Sequence, residues 1–229
     1  MFERDDIFIA NRWVRSAGDE WLDVTSPTTE EIVGRVPAAT TADVDAAVAA
    51  ARSAFEEGPW PRLSFEERVE ALQRVADEFD VRAAEAVDLQ IDEMGGIRRH
   101  MDAITTKAVS GFLALTLADA ELVKFREIRK GFVGDVVVLR EPIGVVGGIT
   151  PWNGPVLSAA QKLFPALLMG CPIVIKQAPE SPLSAYPLAE AVAAAGLPEG
   201  TVSIFSGSVA VGRHLVGHEG VDKVAFTGS

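Results

Sequence analysis

GVVGGITPWN, Gly144 to Asn153, is the stretch that decides the fold. Val145 to Ile149 is apolar, rich in β-branched residues and short, as a buried strand should be. Pro151 has no N–H to give a ladder, so the strand closes at Thr150 and leaves Trp152 and Asn153 at its carboxyl end. Pro155 then opens a helix expected over Val156 to Met169, with Leu157, Leu163, Ala166 and Leu167 as its apolar stripe. Gly170 stops it, and a second apolar run, Pro172 to Lys176, begins at once. This is a β-α-β unit, whose parallel strands require a right-handed crossover.

Working outward, the pattern repeats. Ser181-Pro182 starts a helix over Leu183 to Ala195 that Gly196 ends, and a strand over Thr201 to Phe205 follows. A short helix, Val209 to Val216, leads to a last strand, Lys223 to Phe226. Four short strands alternating with three helices predict an α/β fold with a Rossmann-like, doubly wound parallel sheet. Ligands of such sheets bind beyond the carboxyl ends of the strands. The residues there are Thr150 to Asn153, Lys176 to Pro179, Ser206 to Ser208 and Thr227 to Ser229.

Towards the N-terminus, Ile7 to Arg15 reads as a hairpin around Asn11-Arg12, with Trp21 to Thr25 as its neighbour and Ile32 to Val36 as another strand. Thr41 to Phe55 is helical by its apolar spacing. Ser64 to Glu67 is a capping box for a helix running to Phe79, followed by a helix over Ala83 to Met94 and another from about Arg98 to Leu122. Val136 to Leu139 is a strand preceding the Glu141-Pro142 link into the central unit.

With 48% apolar residues, a chain of 229 residues can bury a sizeable core. Its net charge of −12 argues against nucleic acid, whose phosphates need clustered cations. Lys124, Arg126, Arg129 and Lys130 are expected to form a solvated loop. No signal peptide is expected from MFERDDIF, and the longest apolar stretch is too short and too broken by proline and glycine to cross a bilayer, so no membrane is expected. One cysteine in the whole chain fits a reducing, cytoplasmic setting.

Three chemically suggestive features lead nowhere on sequence alone. Cys171 lies in an apolar turn with no adjacent histidine to activate it. His214 and His218 have a metal-ligand spacing but lack an evident third ligand, so no metal is expected. Asp92 and Glu93 are helical neighbours that point apart.

TPWN after the first strand, Lys176 at the end of the second and FTGS after the fourth together resemble the aldehyde dehydrogenase superfamily. The likeness runs from Asn11-Arg-Trp-Val14 to the last residue, and a GxGxxG fingerprint is absent, as is usual there. It implies an N-terminal hairpin and helical segment over residues 1–133. A bridging strand and the first four strands of an NAD(P)-binding domain would occupy 134–229. By the same resemblance NAD or NADP would lie against Ile149, Thr150, Pro151, Trp152, Lys176, Ala178, Pro179, Phe226, Thr227, Gly228 and Ser229. Asn153 would donate to the oxyanion of the substrate, and Lys162 would serve a proton relay. Gly154, Ser158 and Gln161 would stand where bulky apolar residues commonly line the aldehyde tunnel.

The resemblance further implies oxidation of an aldehyde to a carboxylic acid through a cysteine thioester, in a homo-oligomer (dimer or tetramer). The family's nucleophilic cysteine and general-base glutamate lie later in the sequence, so the chain reads as the N-terminal portion of a longer enzyme, inactive alone. A coenzyme A-acylating or acyl-phosphate-reducing relative, and a non-catalytic nucleotide-binding or oligomerisation remnant, are the alternatives.

Overall fold

The computed structural model describes residues 1–228, so Ser229 lies outside the described residues. The first half contains β1 (Phe2–Glu3), β2 (Ile7–Ile9), β3 (Arg12–Val14), β4 (Trp21–Thr25) and β5 (Ile32–Pro37). Then come α1 (Thr41–Glu56), α2 (Phe65–Met94), α3 (Arg98–Thr105), α4 (Ala108–Ala120), β6 (Arg126–Lys130) and β7 (Asp135–Leu139). The second half is β8 (Val146–Ile149), α5 (Pro155–Leu168), β9 (Ile173–Gln177), α6 (Ala185–Ala195), β10 (Val202–Ser206), α7 (Val209–Gly217) and β11 (Lys223–Phe226).

The central sheet has the order β11-β8-β9-β10-β2-β3. Its four parallel strands, numbered along the chain, lie in the order 4-1-2-3. That is half of a doubly wound sheet, with the change of direction between β8 and β11. Register places Ile149 beside both Lys176 and Phe226, so the strand ends carrying polar motifs finish level with one another.

Alternation along the strands divides the core between two faces. Val146, Ile173, Ile175, Val202 and Ile204 face the layer made by α2, α5 and α6, where Phe79, Leu163, Phe164 and Leu167 are fully buried. Val145, Val174 and Phe205 face the opposite layer, where Val44, Val48 and Ala51 of α1 meet Val211 and Leu215 of α7. Trp60 is fully buried and gives its indole N–H to the Leu167 carbonyl at 3.2 Å, fastening the loop before α2 to the end of α5.

Several expectations need correction. The helices expected on either side of Asp80 are one 30-residue helix, α2, whose Ser64/Glu67 capping box and Gly95 left-handed cap mark its true ends. The helix expected over 98–122 is broken at Thr106-Lys107 into α3 and α4. β4 pairs with β5, not with the β2–β3 hairpin, and β5 pairs with β1 in a separate three-stranded sheet. The basic run is not a loop: β6 pairs antiparallel with β7 from Arg126↔Leu139 to Lys130↔Asp135. A boundary between 133 and 134 would fall in the turn of that hairpin. The β2–β3 hairpin also extends the central sheet by pairing Phe8 with Ile204.

Glu93 joins the two halves. Its side chain is buried, and its carboxylate accepts the Leu183 N–H at 2.6 Å, the Ser184 N–H at 3.3 Å and the Ser184 hydroxyl at 2.5 Å. Burial pushes the carboxyl up to about 7 while these three donors pull it back.

Candidate active site

A groove of about 750 Å³ opens at the carboxyl ends of β8, β9 and β11. One side is the end of β8 and the turn after it, Ile149 to Asn153, and another is the end of β11 and the residues after it, Phe226, Thr227 and Gly228. Lys176 of β9, with Ala178 and Pro179 just after it, runs along the floor. The structure thus brings together every expected cofactor residue that it describes, and Asn153 with them.

The last wall escaped sequence reasoning. Val209, Gly212, Arg213, Val216 and Gly217 of α7 line the groove. Their spacing of three and four residues is one helical face, a signal present in the sequence. Gly212 matters for its lack of a side chain: a Cβ there would lie 3.9 Å from both Ile149 Cδ1 and Lys176 Cδ, narrowing the groove.

The walls suit a ligand with flat apolar rings and anionic groups. Trp152, Phe226 and Val209 are exposed apolar side chains, at 56%, 59% and 67% of full exposure. Lys176 is largely buried; desolvation lowers its pKa, and Glu180 opposes that shift. Arg213 adds a second cation to the groove. The first turn of α7 borders it, and α5 starts two residues after Asn153; neither helix carries a side-chain cap, whereas α1 and α2 have complete capping boxes. Uncapped N–H groups at a helix start are donors available to anions.

Thr150 lines the groove but is buried. Its hydroxyl donates to Gln177 Oε1 at 2.5 Å, holding the ends of β8 and β9 together. Asn153 is exposed, two residues before α5 and next to its N-cap Gly154. Lys162 is buried one helical layer below; its Nζ donates to the Thr227 hydroxyl at 2.7 Å, and desolvation lowers its pKa. A Cβ at Gly148 would touch Lys162 Cδ at 3.4 Å and Ile175 Cγ1 at 3.3 Å. Lys162 therefore ties α5 to the loop after β11.

The three expected tunnel residues do not gather on one wall. Ser158 is buried, with its Oγ 3.9 Å from where a Cβ of Gly154 would be. Gln161 lines a second cavity, of about 410 Å³, together with Lys162, Pro165 and Cys171. Cys171 is 2% exposed and faces neither Asn153 nor the main groove. Ser206 is buried and donates to the Gln177 carbonyl at 3.1 Å, a structural use of a strand-end residue.

A half-Rossmann sheet with a cationic, ring-sized groove at its switch point defines a dinucleotide-binding class of α/β protein. A sequence model described as the aldehyde dehydrogenase family matches residues 13–229, and the chain belongs to that family. Among its relatives, geranial dehydrogenase of Castellaniella defragrans is 38% identical over 99% of this chain and 48% of its own length. A 3-succinoylsemialdehyde-pyridine dehydrogenase of a Pseudomonas species is 37% identical over 100% of this chain and 47% of its own length. The fold matches a Mycobacterium tuberculosis aldehyde dehydrogenase crystallised with NAD+, at a TM-score of 0.95 and 39% identity, covering all of this chain and 47% of that one. The chain spans about half the length of the relatives it matches.

Proposed function

We propose that this chain forms the nucleotide groove and the oxyanion donor of an NAD(P)-dependent enzyme that oxidises an aldehyde to a carboxylic acid. The observation that carries the reading is the convergence of Trp152, Asn153, Lys176, Phe226 and Thr227 on one groove at the switch point. A nicotinamide dinucleotide, when bound, supplies a hydride acceptor. Trp152 and Phe226 would pack on its rings, and Lys176 would meet its ribose hydroxyls or phosphate. Gly228 would give a backbone N–H to the pyrophosphate; Ser229 belongs to the same motif. The Asn153 amide would donate to the oxygen of the aldehyde as negative charge develops there, where a fixed donor lowers the barrier most. Lys162, held by the Thr227 hydroxyl, is the candidate for moving a proton away from the site.

The thiolate of the family mechanism has to come from outside these 229 residues, because Cys171 is buried away from Asn153. We propose the buried Ser158 and its neighbour Gly154 as shapers of the aldehyde's approach, with Gln161 set further back. A homo-oligomer is the proposed assembly: β6–β7 exposes Ile128, Phe132, Val133, Val136 and Leu139, an apolar ribbon that water does not favour. Among the described residues no helix is long and apolar enough to cross a membrane.

Quenching of Trp152 fluorescence during NAD titration tests the groove. Saturable binding that weakens at least about tenfold in Lys176→Ala, about 1.4 kcal/mol, is expected. Absence of saturation at millimolar NAD would refute this reading.

A further inference from the structure

His214 of α7 and His218, which caps that helix, acquire a third neighbour in the fold. Asp45 of α1 lies across the layer, with Oδ1 2.5 Å from His214 Nε2 and 3.4 Å from His218 Nε2. One ligand atom from each residue falls within 4.8 Å of the other two. The imidazole rings stand nearly perpendicular, 86° apart with centroids separated by 5.7 Å. Asp45 is exposed and both histidines are half-buried, so the group is open on one side. Nothing in the groove chemistry uses these residues, which sit on the face of α7 turned away from the groove.

We propose that Asp45, His214 and His218 bind a transition-metal dication of the zinc class, tying α1 to α7. Two imidazoles and one carboxylate are a ligand set that zinc accepts, with water completing the tetrahedron. Ligands at ordinary zinc distances lie about 3.3 Å from one another in a tetrahedral site. The Asp45–His218 separation already has this value. Asp45 must withdraw from His214 by somewhat under 1 Å, which its exposed side chain allows.

Both rings must free Nε2: His214 Nε2 faces the acceptor-only Asp45 carboxylate, so its hydrogen has to move to Nδ1 before a metal binds. His218 is the more constrained of the two. Its Nδ1 accepts the Gly220 N–H at 2.9 Å, which leaves the hydrogen of the neutral ring on Nε2, the atom the metal needs. The backbone offers a remedy. His218 to Val221 is a turn closed by Val221 N–H on the His218 carbonyl at 3.0 Å, with Glu219 and Gly220 as its central residues. Rotating the Glu219–Gly220 peptide converts such a turn to the type that requires positive φ at its third position, and glycine occupies that position. The Glu219 carbonyl then replaces the N–H beside Nδ1 and accepts its proton. That arrangement, a backbone carbonyl behind a ligating histidine, fixes the tautomer a metal requires. A bound ion would brace the helix whose other face, through Val209, Gly212 and Val216, walls the groove.

The test is titration of the full chain with Zn2+ against a chromophoric chelator, with Co2+ absorption as a second probe. One equivalent per chain at micromolar affinity or better is expected, with a tetrahedral Co2+ spectrum and a Zn2+-dependent rise in melting temperature. His214→Ala and Asp45→Asn should each weaken binding at least about tenfold and abolish the rise. Because Asp45→Asn is near-isosteric on an exposed side chain, it reports on ligation even where an alanine variant folds poorly. Absence of one-equivalent binding, or binding unchanged in Asp45→Asn and His214→Ala, would overturn the assignment and place any zinc elsewhere, such as on Cys171 or His100.

Discussion

Replacing Glu93 with glutamine should make the stability difference between variant and parent depend on pH. Glu93 has a folded-state pKa of about 7 against an ordinary 4.5. The folded protein therefore holds this proton across a range in which the unfolded chain has lost it. The contribution to stability is complete below about 4.5 and is lost as pH rises through 7, and the interval is worth about 3 kcal/mol. Glutamine keeps an oxygen for the Leu183 N–H but turns an NH2 towards the Ser184 N–H, leaving that buried donor without an acceptor at a cost of about 1–3 kcal/mol. The variant should thus be clearly weaker than the parent at pH 5. The gap should shrink by about 2.5 kcal/mol between pH 5 and pH 8, enough to cancel or reverse it, because only the parent carries the buried charge at pH 8. Urea unfolding at half-unit pH steps measures this, and taking the difference between the two proteins cancels the shared histidine titrations. A gap that stays constant, or widens with pH, would show that the three donors outweigh burial and hold the carboxylate ionised.

Further outcomes follow from other sites. Gly144→Ala should cost about 2–4 kcal/mol, since Gly144 has φ of +128° and a Cβ would fall 1.9 Å from Asp222 Oδ2. That carboxylate holds Val145 N–H at 2.7 Å and Arg52 at 2.5 Å, so thermal melts should show the loss, and adding Arg52→Ala to the variant should cost little more because the shared carboxylate is already displaced. The 229-residue chain should oxidise no aldehyde with either cofactor, and turnover that vanishes in Cys171→Ala would refute the assignment of that thiol as inert. The whole enzyme should tolerate NADP. Pro179 offers no carboxylate to repel a 2′-phosphate, and Lys176 and Arg213 stand in the same groove, with only Glu180 opposing them. An NAD preference above about a hundredfold, 2.7 kcal/mol, would show that another group excludes the phosphate.

The β-α-β grammar was legible because each helix there ends at a glycine and each strand is short, apolar and β-branched. β11 was bounded to the residue, and Pro155 announced the start of α5. The long helix was not legible: Val81 is 81% exposed, so an apolar residue on the wet face interrupts the pattern where the backbone does not break. The break at Thr106-Lys107 has no glycine or proline to announce it. β4 was given the wrong partner because sequence proximity favoured the hairpin, whereas Glu30, at φ of +61°, turns the chain into β5 instead. At the site, the motif residues were found because they end strands. The α7 wall and Asp45 were missed because their roles depend on how α7 packs against the sheet and α1, and a helical spacing does not say which neighbour a face will meet.

The uncapped starts of α5 and α7 set a limit on engineering this protein for heat resistance. A capping aspartate at Gly154 is the substitution a stabiliser would try first, with a gain of about 0.5–2 kcal/mol. It would also occupy the donors of the first turn and place a carboxylate beside Asn153 at the mouth of the groove. Here the cheapest durability and the capacity to hold an anion draw on the same few N–H groups, so robust variants should instead be sought in α2, α3 and α4, away from the groove.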